Sequence, residues 1–503
     1  MAHRLLAARV FFVALLVYAS TAGGSLATTD AVVSFDVTRS ICEHGSLAMS
    51  GNLLGMDAHR GVDGRFYSPF GIAQSIYNIP FYLAGRTAQR ALGVRFGKSD
   101  TVTKAAVAMG GTPVAAACVA LTFLLALEVS GQAVVALTAA LLLGFGTVFW
   151  PYAKFGFNAP LATCFMLLSA LGAWSAARSA RLVPAALAGL ALGGAMLTRH
   201  ELAIGGLPIA IFFVMRARGS RAFALQAAAG LGGFGIGAAA WMAVNAVRFG
   251  NALNPGYLGD PIPAFGSSLF AGLYGLLLSP AASLIVYCPV VLLVAPALVW
   301  MWRRERPAAV LFGGIFLTML VFYAQLGNWV GGRSYGPRYL VPTLPFLVIP
   351  VAWWLCGVRR RRLPSLAIAI CALSVAVQLP GVLVDFAKVS VAWARQYEAG
   401  AVPDRRVEWR AAPLVLNTRA TVEAVPRNVR YLAGIDTPPR PARDAGDADR
   451  DFSQQFAFSL DLWWLYLFYL GAWSAPVALL VGCVPLVAAV LISRQLARGV
   501  SCS

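Results

Sequence analysis

The segment ARVFFVALLVYASTAGGSLATTDAVVSFD, residues 8–36, joins an apolar run to two early carboxylates. The run is long enough for a helix that crosses about 30 Å of hydrocarbon, which needs roughly 20 apolar residues. Arg4 and Arg9 precede the run, and Asp30 and Asp36 follow it. This pattern predicts a first spanning helix with a cytoplasmic N-terminus. A cleaved signal peptide is the alternative, and we favour the span because the apolar part extends beyond a typical signal core.

The composition predicts a membrane protein over the whole length. Of the 503 residues, 59% are hydrophobic and 12% are charged, whereas soluble domains contain about 45–50% apolar residues. The net charge of +19 is attributed to cytoplasmic loops rather than to nucleic-acid binding, because such loops are rich in Lys and Arg. The eight cysteines show neither metal-ligand spacing nor a disulfide framework. We therefore expect an all-α, multi-pass protein.

About twelve transmembrane helices are predicted, within a range of 11–13, and both termini are expected in the cytoplasm. The predicted spans lie near 7–24, 105–127, 132–149, 156–177, 183–198, 202–215, 223–247, 283–302, 308–326, 339–357, 364–384 and 464–492. In the first outer loop, 25–104, the segment 69–85 could be one more span. That crossing would put every later basic loop on the wrong side, so we place the segment in the outer interface.

The chain is expected to contain three units. Residues 1–384 form a transmembrane catalytic module, and residues 385–462 form an extracytoplasmic loop or small domain. Residues 463–503 form a C-terminal transmembrane helix with a short cytoplasmic tail.

Unusual polar residues cluster on the predicted outer face. Charged groups near membrane depth are costly and are usually functional or paired. Asp30 comes directly after the first span, whereas Asp36 lies one helical turn before Arg39 and could pair with it. Lys154 and Asn158 share a helix face within WPYAKFGFNAPL. The candidate pocket residues on this face are Tyr67, Asn158, His200, Glu201 and Tyr257.

The segment GNWVGGRSYGPRYLVPTLPF, residues 327–346, has the composition of a phosphate site. Its arginines, Arg333 and Arg338, can form bidentate charge-assisted hydrogen bonds, and Tyr335 and Tyr339 add two hydroxyls. Nucleotide sugars are not found outside the cytosol, so a donor on that side must bring its own activation. A sugar linked to a polyprenyl phosphate does this. Arginines that bind lipid headgroups are the simpler alternative.

These features resemble the GT-C glycosyltransferases, which include the bacterial aminoarabinose transferases and the protein O-mannosyltransferases. They are polytopic enzymes that transfer sugar from a polyprenyl-phosphate donor on the outer face. The resemblance rests on the early Asp and on the motifs DGRFYSPFGIAQSIYNIPFYLAGR and GGRSYGPRYLVPTLPF, and it covers most of residues 1–380. It implies a GT-C-like fold with interfacial helices in the first outer loop.

The resemblance also implies roles for individual residues. Asp30 matches the catalytic base, with Asp36 as the second candidate, in an inverting transfer to an acceptor hydroxyl or amine. Ser68-Pro69-Phe70 stands where better-known members have Lys-Pro-Pro, so Lys154 or Arg65 would replace that lysine. The expected donor-phosphate residues are Arg338, Arg333, Tyr335, Tyr339, Arg199, Lys154 and Arg65.

The implied partners are a polyprenyl-phosphate sugar, an acceptor glycan, lipid or protein, and the bilayer, with no nucleic acid. No cofactor is required, and a divalent metal is optional. The expected location is the bacterial plasma membrane, with the active site on the extracytoplasmic face. A transporter or flippase for a lipid-linked or anionic solute is one alternative, and an inactive scaffold with the same fold is another. Transporters often contain repeated halves with charges near the midplane, whereas here the charges cluster at one face.

Overall fold

The computed structural model describes residues 2–50, 58–92, 100–179, 181–216, 220–257, 265–332, 334–357, 363–400, 402–438 and 459–501. These residues are mainly helical, and the strands His59–Arg60 and Phe66–Tyr67 form a small antiparallel ribbon. The helices of the first half are α1 (Ala2–Thr21), α2 (Thr29–His44), α3 (Ala73–Leu92), α4 (Thr101–Met109), α5 (Gly111–Ser130), α6 (Ala133–Phe145), α7 (Phe149–Tyr152), α8 (Asn158–Ser179), α9 (Leu182–Thr198) and α10 (Gly206–Arg216).

The second half is also helical. Its helices are α11 (Ser220–Phe249), α12 (Leu269–Leu277), α13 (Leu284–Tyr287), α14 (Val294–Trp302), α15 (Arg306–Ala324), α16 (Leu344–Gly357), α17 (Leu363–Leu383), α18 (Phe386–Glu398), α19 (Pro413–Leu432), α20 (Trp463–Tyr469) and α21 (Ala475–Ser501). Two short 3₁₀ helices, His200–Gly205 and Arg338–Thr343, matter for the site.

Within the described ranges, eight helical stretches are long and apolar enough to cross a membrane. They are His3–Thr21, Thr101–Ser130, Asn158–Ser179, Ala222–Phe249, Arg306–Ala324, Arg338–Gly357, Ser365–Leu383 and Ala475–Ala497. Shorter apolar helices occupy Ala133–Phe145, Leu182–Thr198 and Pro289–Trp302, where three further spans are predicted. The all-α, multi-pass architecture is confirmed, whereas the count of twelve and the orientation stay predictions.

Two predicted spans are interrupted in the structure. The segment 464–492 contains α20 and α21, which are separated by a turn at Gly471 with a φ of +72°. The segment 283–302 is divided into α13, a 3₁₀ turn that begins at Pro289, and α14. Apolar residues continue through both breaks, so hydropathy alone does not reveal them. A left-handed glycine and a proline without an N–H group cause the interruptions.

Helix α3 corresponds to the segment that is expected in the membrane interface. It buries Gln74, Ser75 and Asn78 against the protein, while Ile76 and Leu83 are exposed. An apolar face that points away from the protein suits a helix that lies on lipid. Its neighbours are α4 and α2, and the interfacial placement stays a prediction.

The segment 385–462 folds partly as two helices. Helix α19 packs against α17 and α18, and residue 401 and residues 439–458 lie outside the described part of the chain. The predicted boundaries of the three units stay predictions.

Helix α9 packs closely on α11, and this packing positions the C-terminal end of α9, which contributes to the site. A Cβ atom added to Gly189 would lie 1.9 Å from the Gly230 carbonyl oxygen, and one added to Gly193 would lie 2.8 Å from the Gly237 Cα. Only glycine allows the two backbones to approach this closely. Arg199 follows α9 directly and is therefore carried by a rigid helix pair.

Candidate active site

Several helix ends meet around one cavity of about 340 Å³. The walls come from the start of α2, the start of α8, the ends of α9 and α15, and the 3₁₀ helix Arg338–Thr343. The charged and amide side chains of the lining are Asp30, Asn158, Arg199, His200, Glu201 and Arg338. A larger groove of about 640 Å³ between α6, α16 and α17 is almost entirely apolar. We assign the candidate active site to the first cavity, because it gathers Asp30, Arg199 and Arg338, whereas the apolar groove has no charged side chain in its lining.

Asp30 occupies the first turn of α2. The Thr28 side chain caps this helix by accepting a hydrogen bond from the Ala31 N–H, at 3.3 Å. A carboxylate in the first turn is stabilised by the exposed N–H groups of the helix. Asp30 Oδ1 lies 3.6 Å from Arg338 Nη1, which is an ion pair without a hydrogen bond. The carboxylate is therefore held beside Arg338, and no described side chain donates a hydrogen bond to it.

Arg338 and Arg199 share an aromatic platform. Their guanidinium carbons lie 5.7 Å and 5.6 Å from the centroid of the Phe157 ring. Both also lie over Tyr339, at 5.0 Å and 5.9 Å. Arg199 Nε donates to Asn158 Oδ1 at 3.1 Å. Cation–π contacts of this kind are worth roughly 2 kcal/mol when desolvated, so they hold two cations side by side.

Each of these arginines keeps an unused donor. Arg338 Nε and Arg199 Nη1 are buried and have no hydrogen-bond partner among the described residues. A buried, unsatisfied donor costs about 1–3 kcal/mol. An anionic ligand with several acceptor oxygens would satisfy both groups at once. The arrangement has the charge and the unused donors that an anion would require.

Glu201 provides a second carboxylate in the cavity. Its Oε1 accepts a hydrogen bond from the Tyr323 hydroxyl at 2.8 Å, and its Oε2 lies 3.9 Å from His200 Nε2. Burial acts to raise the pKa of Glu201, but the His200 and Arg199 side chains outweigh it and lower that pKa. The Tyr323 ring stacks on Tyr339 with centroids 4.8 Å apart. Glu201 is therefore joined to the arginine platform through Tyr323.

A backbone segment, residues 69–71, forms another part of the cavity wall. Arg248 Nη1 donates to the carbonyl oxygens of Ser68 and Phe70, at 3.1 Å and 2.9 Å. Gly71 lies so close to the end of α9 that an added Cβ would be 2.4 Å from the Thr198 carbonyl oxygen. The segment that stands in place of Lys-Pro-Pro therefore contributes a fixed wall rather than a cation.

Many of the predicted site residues meet in the cavity. Those that line it are Asp30, Asn158, Arg199, His200, Glu201, Tyr257, Arg338 and Tyr339. Those that lie elsewhere are Asp36, Arg65, Tyr67, Lys154 and Tyr335. Arg333 falls outside the described residues. The roles of all these residues stay predictions, but the gathering of the first group is a property of the fold.

Asp36 has a structural environment. It forms the predicted ion pair with Arg39, and it accepts hydrogen bonds from the Ser50 N–H at 2.7 Å and from Ser50 Oγ at 2.8 Å. Arg39 also pairs with Asp100, at 3.2 Å. Both oxygens of this carboxylate are occupied by neighbouring donors, and Asp36 does not line the cavity. Of the two candidates, the geometry favours Asp30.

The predicted phosphate residues Arg65 and Lys154 are both engaged away from the cavity. Arg65 Nε donates to Asp63 Oδ2 at 2.6 Å, and Lys154 Nζ pairs with Asp461 Oδ2 at 3.0 Å. Because neither cation lines the cavity, both are excluded from the proposed phosphate site.

The hydroxyls of Tyr67 and Tyr335 point to other partners as well. Tyr67 donates to Asp63 Oδ2 at 2.8 Å, and Tyr335 donates to the Val377 carbonyl oxygen. Neither hydroxyl is available to a ligand in the cavity.

The sequence interpretation misses two aromatic members of the site. Phe157 lies beneath both arginines, and Tyr323 holds Glu201. Phe157 stands next to Asn158 in a motif that is already singled out, so its position is a usable signal. Tyr323 ends an apolar helix and looks like an ordinary interfacial aromatic. Within the described ranges, no group of three or more His, Cys, Asp or Glu residues could hold a metal ion.

Comparisons with known proteins support the fold. No family model and no curated protein matches this sequence. The structure is similar to the crystal structure of ArnT from Cupriavidus metallidurans bound to undecaprenyl phosphate, with a TM-score of 0.55 and 16% identity. The match covers 95% of this chain and 87% of that chain. At this identity the likeness shows a shared fold, and the predicted fold is confirmed: this chain is a multi-pass membrane protein with the GT-C fold of ArnT.

Proposed function

We propose that the protein is a glycosyltransferase that takes a sugar from a polyprenyl-phosphate donor. The observation that carries the proposal is the position of Asp30 beside Arg338 and Arg199. It puts a carboxylate that accepts no side-chain hydrogen bond from the described residues next to two arginines with unused donors. The shared fold with ArnT, whose structure holds undecaprenyl phosphate, supports the same class of donor. We place the reaction on the extracytoplasmic face of a bacterial plasma membrane.

The donor phosphate would bind between the two arginines. Its oxygens would accept hydrogen bonds from Arg338 Nε and Arg199 Nη1, which have no partner among the described residues. The Arg338–Asp30 separation of 3.6 Å is loose enough for the guanidinium to turn towards a phosphate. Binding would therefore draw the guanidinium away from Asp30 and leave the carboxylate open to the acceptor.

The chemical step needs only these groups. Asp30 accepts the proton of the acceptor hydroxyl or amine as that group attacks the anomeric carbon. The bond from the anomeric carbon to the phosphate oxygen breaks, and polyprenyl phosphate leaves with the electron pair. Attack from the face opposite the phosphate inverts the anomeric centre. Arg338 and Arg199 stabilise the charge that develops on the phosphate, which is a preorganised electrostatic effect.

The apolar side of the cavity supports a lipid-linked donor over a soluble one. Phe322 and Leu326 line that side, and Phe265 extends it with 65% of its surface exposed. Leu326 and Phe265 are joined by a β-bridge, so the apolar rim is built into the fold. A polyprenyl chain could follow this rim from the bilayer to the arginines.

A transporter or flippase is the alternative. Transporters usually bind cargo near the bilayer midplane between broken helices. Here the charged lining comes from helix ends at one end of the bundle, which favours chemistry at the membrane surface.

We expect the purified protein in lipid nanodiscs to bind undecaprenyl phosphate at least tenfold more tightly than undecaprenol. A hydrogen bond to a charged group contributes about 1.5–3 kcal/mol, and undecaprenol offers no phosphate oxygens to the arginines. Native mass spectrometry of the two complexes measures the difference. Equal affinity for both lipids would show that the cavity does not recognise phosphate and would contradict the proposal.

A further inference from the structure

The proposed reaction does not use a buried ion pair that lies behind the cavity. Lys154 lies between α7 and α8, Asp461 precedes α20, and both side chains are 1% exposed. Lys154 Nζ lies 3.0 Å from Asp461 Oδ2 and 3.0 Å from the Asp461 carbonyl oxygen, and it also donates to the Val382 carbonyl oxygen. An ammonium group has three donors, so this lysine has none left for a ligand.

On one side, the pair is connected to the arginine platform. Lys154 stands three residues before Phe157, whose ring lies beneath Arg199 and Arg338. Aromatic contacts pack the chain around them: the Phe155 ring lies 5.1 Å from the Phe386 ring, and the Tyr152 ring lies 5.3 Å from the Phe157 ring, centre to centre. The position of Phe157 therefore depends on where Lys154 is held.

On the other side, the pair is connected to the segment that carries Asp30. A Cβ atom added to Gly23 would lie 2.5 Å from Asp461 Oδ2, so the carboxylate rests directly on the link between α1 and α2. Trp463, two residues after Asp461, contacts the same link: its backbone N–H donates to the Ala22 carbonyl oxygen at 2.9 Å. The start of α2, and with it Asp30, follows this link.

We propose that Asp461 is a positioning residue that aligns the two halves of the active site. Through Lys154 it holds the loop with Phe157, and through Gly23 it holds the link that leads to Asp30. The C-terminal segment would thus position residues of the site, although Asp461 itself does not line the cavity. The functional part of this inference rests on the proposed function, whereas the mechanical part does not.

The energetics of buried pairs suggest how to separate positioning from stability. Removing one partner leaves an uncompensated charge and destabilises the fold, whereas removing both is often neutral. Asp461→Asn and Lys154→Met each break the pair. The double variant removes both charges, and the amide oxygen that Asp461→Asn introduces can still accept the hydrogen bond that Tyr466 donates to Asp461.

The experiment compares the three variants with wild type by thermal unfolding, hydrogen exchange and binding of undecaprenyl phosphate. We expect lower thermal midpoints in the single variants and a recovered midpoint in the double variant. In all three, exchange should quicken in both 22–30 and 150–158, and affinity should fall at least tenfold. Glu128→Gln breaks the exposed Arg178–Glu128 pair of 2.8 Å and is the matched control, which should behave as wild type.

Three outcomes decide the matter. If the double variant has the thermal midpoint, the lipid affinity and the hydrogen-exchange rates of wild type, the ion pair only stabilises the fold, and the proposal is overturned. Faster exchange in 150–158 alone would also overturn it, because Asp461 would then not hold both segments. If wild type itself does not bind undecaprenyl phosphate, the proposed function fails, while quickened exchange in both segments would still support the mechanical role.

A further variant covers the case in which the charge variants do not fold. Gly23→Ala keeps both charges but puts a methyl group against the Asp461 carboxylate. We expect it to quicken exchange in 22–30 and to weaken binding of undecaprenyl phosphate at least tenfold. Wild-type exchange and affinity in this variant would overturn the proposal.

Discussion

Replacing Asp30 by Asn is expected to reduce sugar transfer by about 10²–10⁴-fold, which is the usual contribution of a positioned base. The amide is similar in size but cannot accept the proton of the acceptor. Asp30 is the carboxylate at the start of α2 that is not consumed by hydrogen bonds from its neighbours. The variant should unfold at a lower temperature, because Arg338 loses its anionic partner, while the Thr28 cap of the helix is retained. Transfer is therefore compared at equal amounts of folded protein. Transfer from an undecaprenyl-phosphate sugar to membrane acceptors measures the effect.

Asp36→Asn is the matched control for that result. It lies on the same helix, but its carboxylate is occupied by Arg39 and Ser50. We expect this variant to unfold at a lower temperature while the folded protein retains most of its transfer activity. Full activity in both variants would exclude a carboxylate base in α2. A larger loss in Asp36→Asn than in Asp30→Asn would reverse the assignment.

Replacing Arg338 by Lys should weaken binding of undecaprenyl phosphate by about tenfold to a hundredfold, since each hydrogen bond to a charged group contributes about 1.5–3 kcal/mol. Lysine keeps the charge but loses the planar fork and the Nε donor. Arg338 Nε is one of the two unsatisfied donors of the arginines that line the cavity. Titration of the lipid against protein in nanodiscs measures the change.

Arg199→Lys should act in the same direction, since its Nη1 is the other unsatisfied donor. Arg178→Lys is the control, because Arg178 is exposed and pairs with Glu128. Unchanged affinity for undecaprenyl phosphate in both Arg338→Lys and Arg199→Lys would show that the two arginines do not bind the phosphate.

The sequence predicts those features that are local. Asp30, Arg199 and Arg338 interrupt or flank apolar runs, where a charge is costly, so each attracts attention on its own. If the apolar runs form antiparallel helices, the ends that carry these three residues lie at the same face. The sequence therefore also predicts that the residues lie near one another. The GT-C fold is predicted through the resemblance of two motifs and the early Asp to a known family, although the sequence matches no family model.

The features that the sequence does not predict depend on distant partners. In the sequence, Lys154 looks like an unpaired cation that could bind phosphate. Its partner Asp461 stands 307 residues later, so the sequence does not reveal the ion pair. Tyr335 and Tyr339 belong to one motif, yet the hydroxyl of Tyr335 reaches Val377 while the ring of Tyr339 faces the cavity. Side-chain direction in a turn rich in glycine and proline cannot be read from spacing. The break at Gly471 is hidden because apolar residues continue on both sides of it.

The cavity between Asp30, Arg199 and Arg338 is proposed to bind the phosphate of a polyprenyl lipid. An electron cryo-microscopy structure of the protein with undecaprenyl phosphate in nanodiscs tests it most directly. We predict a phosphate within hydrogen-bond distance of Arg338 Nε and Arg199 Nη1, with the lipid chain leaving along Phe265 and Phe322. A phosphate bound elsewhere, with the lipid in the apolar groove between α6, α16 and α17 and the two arginines unoccupied, would contradict the account.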